Sequence, residues 1–421
     1  MPILIFIFYL LLFSFLVTRI PFFTKSGLSK WQLIFLFIIK VAAGLAYAWF
    51  YKLPTYTINS DTYRFFSLSL QETDWLLKNP WAFFKDIFNH NYTNSGNIFI
   101  AENSYWNDLK SNVIIKLLAV CNVFTFKNYY ANIIFFNFLF LFGLVAFYKL
   151  MSLLFTNNKW LLIAAIFLTP SFLFWCSGVH KDGLLFSAIG LVFWLFYQLL
   201  NKKFLLKNSL AIVLLLILIF SLRNYVCFAL LISLFCWFLA HHFKHSILPF
   251  IAVYSLGIIL FFTASFFNSQ LNFPNYIVSK HQEFEQLSGG SLVITKKLEP
   301  TINSFINYLP SAIDMAFFRP HFSEIKNKSY LPAIAEVFFT ILLIVVCIIF
   351  RNKKIPISPP ILACWFFGIT ILLIAGYTIT FSGAIVRYKS LVTPFVLAPL
   401  IGLLDTQKII KTLRIPINYK K

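Results

Sequence analysis

Acidic side chains are scarce in this chain. Of 421 residues, 14 are Asp or Glu against 35 Lys or Arg, and charged residues of both signs reach only 12%. A soluble domain carries about 25%. With 60% hydrophobic residues, so little charge excludes an ordinary soluble domain and puts the chain in a bilayer. No zinc-type Cys/His spacing occurs. Cys121, Cys176, Cys227, Cys236, Cys347 and Cys364 are scattered, mostly within apolar runs, and are expected as free thiols rather than a disulfide framework. There is no tandem repeat. The first twenty residues carry no basic residue before Arg19. They therefore lack the positive start of a signal peptide and are expected to stay as a transmembrane helix.

What is present is apolar sequence in long runs. Runs near twenty residues predict membrane helices at 3–23, 31–51, 129–153, 160–177, 183–200, 208–222, 225–240, 247–267, 331–350, 360–380 and 390–404. The expected fold is all-α, a polytopic membrane bundle of about eleven transmembrane helices forming a single integral-membrane domain over 1–421. Two long polar stretches interrupt it, 52–128 and 268–330.

The net charge of +21 does not point to nucleic acid, because the basic residues are spread through short loops between apolar runs. That distribution sets orientation in a membrane. Lys25 and Lys30, Lys149 and Lys159, Lys202, Lys203 and Lys207, Lys244, Arg351, Lys353 and Lys354, and the tail with Lys408, Lys411, Arg414, Lys420 and Lys421 share one side, with Asp405 as their single acid. The positive-inside tendency makes that side cytoplasmic. The two long loops and the turns at 178–182, 223–224 and 381–389 then face outward.

Charges on the outward side are the candidates for chemistry. In "NSDTYRFF", Asp61 opens the first outer loop, with Tyr63 and Arg64 just after it. A Ser-Asp-Thr run ahead of an apolar stretch is also an ordinary helix start, with Asp61 as its N-cap. Later in that loop, "WLLKNPWAFFKDIF" and "SNVIIKLLAVCNVF" interleave Lys with apolar residues, as helices lying in the membrane interface do. In "FWCSGVHKDGLLF", His180, Lys181 and Asp182 are expected in a tight turn at the outer membrane surface. Gly178 and Gly183 would supply its backbone freedom. Here too a plainer reading exists: Lys181 reaching to headgroups and Asp182 capping the next helix. Arg223 in "SLRNYV", Arg319, His321 and Glu324 in "AFFRPHFSEIKN", and Arg387 and Lys389 in "VRYKSLVTPF" add further outward charge. Cations on the disfavoured side suggest an anionic partner such as phosphate.

Other polar residues carry less. Lys40 lies mid-helix and is expected to face the bundle interior, near Glu336. His241, His242 and His245 suit helix-end or headgroup contacts, with metal as the rarer use. Asn91-Tyr92-Thr93 and Asn327-Lys328-Ser329 match the glycosylation sequon, at a frequency chance supplies in an Asn-rich chain.

This layout resembles the GT-C class of integral-membrane glycosyltransferases, which use polyprenyl-phosphate sugars. The resemblance implies an acidic residue at the start of a long first outer loop, matched here by Asp61. It implies basic residues on outer turns that hold the lipid phosphate, matched by Lys181, Arg387 and Lys389, with Asp182 beside Lys181 and Pro394 opening the late helix. No Asp-x-Asp or Asp-Glu pair stands at position 61, so a divalent metal is not indicated and no cofactor is expected. The chain is also similar to O-antigen and exopolysaccharide polymerases. A transporter of an anionic lipid or sugar, or a membrane scaffold of an envelope complex, are the readings from other classes.

For glycosyl transfer, the acceptor hydroxyl needs a base and the leaving phosphate needs positive charge. The expected roles are Asp61 as base, with Lys181, Arg387, Arg223, Arg319 and Lys389 around the phosphate. His180 and Asp182 would orient Lys181 or contact the sugar, and Arg64, Tyr63 and Tyr388 would support them, the tyrosines stacking on sugar faces or lining a prenyl groove. The expected partners are a polyprenyl-phosphate-linked sugar, a glycan, lipid or protein acceptor, and membrane lipids, with no nucleic acid. The abundance of Asn, Lys, Ile and Phe hints at a bacterium, hence an inner membrane with the active face periplasmic.

Overall fold

Backbone groups in lipid must find partners within the chain, and the apolar runs meet that demand as helices. A computed structural model describes residues 2–412 apart from 58–59, 90–91, 93–95, 97, 99–103, 157, 244–245, 288–290 and 325–329. The sequon asparagines Asn91 and Asn327, and Lys244, His245, Arg414, Lys420 and Lys421, lie outside the described residues. Among those described, the only β-type pairings are two isolated bridges.

The first half of the chain contains α1 (Pro2–Val17), α2 (Lys30–Tyr51), α3 (Asp61–Lys78), α4 (Tyr105–Thr125), α5 (Tyr129–Leu154), α6 (Lys159–Phe167), α7 (Pro170–Trp175) and α8 (Lys181–Leu200). The second half contains α9 (Leu205–Leu222), α10 (Asn224–His242), α11 (Leu248–Thr263), α12 (Phe273–Glu285), α13 (Ile302–Ile313), α14 (Leu331–Ile349), α15 (Pro359–Thr378), α16 (Ser382–Ser390) and α17 (Thr393–Gly402). Among the described residues, 8 helices are long and apolar enough to cross a membrane: α2, α5, α8, α9, α10, α11, α14 and α15. The protein is a multi-pass membrane protein.

Three of the expected runs come out differently. The first forms only the 16-residue α1. The run at 160–177 breaks into α6 and α7, because Pro170 cannot continue a helix but can start one at its first turn. The last run joins α16 at a 58° bend, with Pro394 again at the start of the second piece.

Helix α5 is the central post, packed on α2 and α8. Apolar burial drives little association in lipid, so close approach and interhelical hydrogen bonds carry the packing. At Gly143 a Cβ would lie 2.1 Å from the Ser187 Cα. The Gly143 N–H donates to the Ser187 Oγ at 3.1 Å, and that hydroxyl donates to the Leu139 carbonyl at 3.1 Å.

The C-terminal ends of α2 and α9 and the N-terminal ends of α5, α8 and α10 share one end of the bundle, and α3 and α4 of the first long segment pack over it. Its α4 does not lie free at an interface. It buries Ile114, Leu118 and Cys121 between α3, α5 and α9. A buried polar ladder bolts it down: Asn132 Nδ2 donates to Asn122 Oδ1 at 2.6 Å, and Asn122 Nδ2 donates to Ser69 Oγ at 2.9 Å. The Lys116 ammonium ties Glu72 (3.0 Å) to Asp86 (3.1 Å). The second long segment is tacked to the α15–α16 link, where Val293 N–H donates to Thr380 O at 2.8 Å and Ser382 N–H donates to Ser291 O at 3.0 Å.

Candidate functional site

The turn between α7 and α8 is an interior feature, not the surface turn its charges suggest. Ser177, Val179, His180 and Asp182 are all buried, because α3 covers them. Thr62 on α3 donates to the Val179 carbonyl at 3.0 Å. The turn glycines do not serve as conformational hinges, since neither Gly178 nor Gly183 has positive φ. They serve close approach: a Cβ on Gly178 would meet the Tyr47 ring at 2.3 Å. From below, the Lys40 ammonium donates to the Cys176 carbonyl (3.1 Å) and to Ser177 Oγ (2.9 Å). Lys40 is therefore not paired with Glu336, whose carboxylate instead takes the Ser171 N–H at 2.6 Å and hydroxyl at 2.5 Å.

The capping roles also differ from the plainer sequence reading. Ser60, not Asp61, caps α3, accepting the Tyr63 N–H at 3.4 Å. His180, not Asp182, caps α8. Both carboxylates are thereby free for other partners.

Those partners converge from four distant parts of the chain. Asp182, 1% exposed, accepts from Arg223 Nη2 at 2.5 Å and from Arg387 Nε at 2.9 Å, and lies 3.2 Å from His180 Nδ1. On the other side of the imidazole, His180 Nε2 stands 3.2 Å from Asp61 Oδ2. The Arg387 guanidinium lies against the same ring and 3.6 Å from Asp61. The imidazole thus bridges two carboxylates, one sealed inside and one, Asp61, with 45% of its side chain exposed. Partial burial pushes the Asp61 carboxyl up, but His180, Arg387 and Lys181 outweigh it and hold the group well below the usual carboxylate range.

Lys181 is within electrostatic reach of both carboxylates and both arginines. Among the described residues it has no hydrogen-bond or ion-pair partner. Lys181, Arg223 and Arg387 therefore face Asp61 and Asp182, three cations against two carboxylates. The cluster keeps a positive excess, and three of its charged residues, Asp61, Lys181 and Arg387, are partly exposed. His180 and Asp182 do not hold Lys181, as the sequence suggested. Asp182 anchors the two arginines and His180 steadies Asp61.

Of the other expected members, Tyr388 stays at the cluster and the rest fall elsewhere. Tyr388 lies under the Arg223 guanidinium at 4.7 Å, which fixes that arginine and occupies one face of the ring. Tyr63 donates to the Ala48 carbonyl at 2.9 Å and stacks on Tyr129 at 4.9 Å; it is a strut between α3, α2 and α5. Arg64 is exposed and lines a separate cavity of about 580 Å³ between α3 and α4, with Gln71, Glu72 and Asp108. Arg319 is not brought to the cluster: its Nε donates to Asp314 at 2.7 Å, its Nη1 pairs with Glu324, and His321 Nε2 contacts Asp314 at 2.9 Å. Lys389 donates to the Arg319 carbonyl at 2.5 Å.

Tyr225 escaped the sequence reading, and Trp175 entered it only inside the quoted turn stretch, with no role given. The Arg387 guanidinium lies 5.8 Å from the Trp175 ring, and Arg223 Nη1 donates to the Tyr225 hydroxyl at 3.1 Å. Each stands within a few residues of a charge already singled out, which was the available signal. Among the described residues, no group of three His, Cys, Asp or Glu side chains is disposed to hold a metal ion. All six cysteines are free and buried. No protein-family model matches the chain, and neither curated proteins nor solved structures give a match.

Proposed function

We propose that the protein is an integral-membrane glycosyltransferase that moves a sugar from a polyprenyl-phosphate donor to a hydroxyl acceptor at the non-cytoplasmic face of the membrane. One observation carries the reading: a half-exposed carboxylate, Asp61, stands in contact with a fixed set of cations whose charge is not fully balanced. That is the combination glycosyl transfer from a lipid phosphate requires. The lysines of the opposite end of the bundle support the orientation.

The geometry suggests how the parts act. Asp182 holds Arg223 and Arg387 in place before substrate arrives, so little reorganisation is needed when phosphate charge develops. Lys181 and Arg387 take the donor phosphate. The acceptor hydroxyl then attacks the anomeric carbon, its proton passes to Asp61, and the bond from that carbon to the phosphate oxygen breaks, releasing polyprenyl phosphate. Asp61 is a weak base while the cations hold its proton affinity down. Phosphate bound to Lys181 and Arg387 cancels that pull and raises its basicity when the base is needed.

The test is donor binding and sugar release by the purified full-length protein in lipid, with radiolabelled polyprenyl-phosphate sugars. Lys181→Ala is expected to weaken donor binding about tenfold or more. Asp61→Asn is expected to bind donor but to lose turnover by about a hundredfold or more. Failure of well-folded wild type to bind any such donor removes the transferase reading.

A further inference from the structure

Each long loop also delivers a lysine to the rim of this cluster. On α4, Trp106 packs edge-on against Phe220 at 5.7 Å, three residues before Arg223. Lys110 follows Trp106 by four residues and so lies on the same helix face, one turn along. On α12, Phe284 packs edge-on against Tyr388 at 6.2 Å, the ring on which Arg223 rests. Lys280 precedes Phe284 by four residues and shares its face. The first loop is anchored nearby as well, since the Asn224 side chain donates to the Ile98 carbonyl.

The electrostatics of Lys110 agree with the placement given by these ring contacts. Lys110 is half-buried, and among the described residues it has no hydrogen-bond or ion-pair partner. Burial, then the like charges of Lys280 and Arg223, lower its proton affinity. Lys280 pairs with Glu283. Taken with the inner cluster, Lys110, Lys181, Lys280, Arg223 and Arg387 are five cations facing three carboxylates, Asp61, Asp182 and Glu283. The excess is two positive charges. A sugar joined to a lipid through one phosphate is a phosphodiester and brings one negative charge.

We infer that Lys110 and Lys280, with Arg223, form a second anion subsite, so that the substrate bound here carries a second negative group beyond the donor phosphate. This rests on the transferase reading for the first phosphate only. The second group is a phosphate or a carboxylate, supplied by a diphosphate linkage in the donor or by an acidic residue of the acceptor glycan.

Binding of four probes to the full-length protein in lipid decides it: a short prenyl monophosphate sugar, which is a singly charged phosphodiester, the matching prenyl diphosphate sugar, inorganic pyrophosphate, and a glucuronate-containing oligosaccharide. Wild type is compared with Lys110→Gln, Lys280→Gln and the double variant, each checked for an unchanged melting temperature. If the second group is in the donor, wild type prefers diphosphate over monophosphate by about tenfold or more, and the double variant loses most of that ratio. If it is in the acceptor, the uronate glycan binds instead and that binding falls in the same variants. A folded double variant that keeps wild-type ratios and glycan binding overturns the inference. So does a wild type with no preference for any doubly charged or acidic probe. Pyrophosphate binding that depends on both lysines, with no affinity for either prenyl probe, keeps the second subsite and removes the transferase reading alone.

Discussion

Two clusters in this protein are built from the same residue types, and they differ in what is left over. One joins Asp61, His180, Asp182, Arg223 and Arg387, with Lys181 in electrostatic reach of both carboxylates. The other joins Asp314, Arg319, His321, Glu324 and Lys389. In the second, Asp314 and Glu324 match Arg319 and Lys389 charge for charge, and four of the five members lie within eleven residues of one another. It is a local knot that folds a loop end. In the first, the members come from α3, α8, the α9–α10 link and α16, and the cations exceed the carboxylates. A complete set of pairings makes structure. An incomplete one, with Lys181 unpaired and Asp61 half exposed, leaves a charge for a ligand to satisfy.

The comparison breaks most sharply at Asp182. Its removal leaves two guanidiniums facing each other in the interior, and losing one partner of a buried ion set costs about 3–5 kcal/mol. Asp182→Ala should fall well below wild type in thermal stability, as measured by melting in lipid-detergent micelles. A wild-type melting curve would mean that the arginines are not held by Asp182.

A second test separates the two clusters by pH. The Asp61 carboxyl is held below its ordinary value, so it stays ionised, and any stability it contributes is retained, until pH falls through that lowered value. In the free protein the acid limb of kcat/KM should therefore lie below about pH 4, the ordinary aspartate value. Bound phosphate offsets the cations, so the acid limb of kcat should lie at higher pH than that of kcat/KM. Coincident limbs would argue against phosphate beside Asp61. The smallest effect on the site is expected in the knot: Arg319→Gln should change donor affinity by less than about twofold, because its partners Asp314 and Glu324 are local to that loop end. A large loss of donor binding in that variant would erase the distinction between the clusters.

Much of this was legible in the sequence. Asp61, His180, Lys181, Asp182, Arg223 and Arg387 each stood out as charges at the ends of apolar runs, on the side where cations are disfavoured. Arg319 and Lys389 carried the same local signature, and nothing in their flanking residues tells a local knot from a shared site, because partner choice is a long-range property. Burial of the 178–182 turn was hidden for the same reason. A His-Lys-Asp turn reads as solvent-exposed until α3 is known to lie over it. Lys110 and Lys280 gave no signal at all: in a chain rich in lysine, only the Trp106–Phe220 and Phe284–Tyr388 contacts distinguish them. The broken spans were readable in principle from Pro170 and Pro394, which can start a helix but not extend one.

The distance in sequence between Asp182 and its two arginines sets an order of assembly. Synthesis runs from the N-terminus, so Asp182 enters the membrane before either counter-charge has been made. Arg223 follows within the next helical hairpin. Arg387 arrives only after six further helices, α10 to α15, have been translated. Until then half of the charge on Asp182 is unanswered, and α8 is bound to the growing bundle without its final clamp. The pair of helices α16 and α17 is therefore the one that closes the site, long after its first carboxylate has been made.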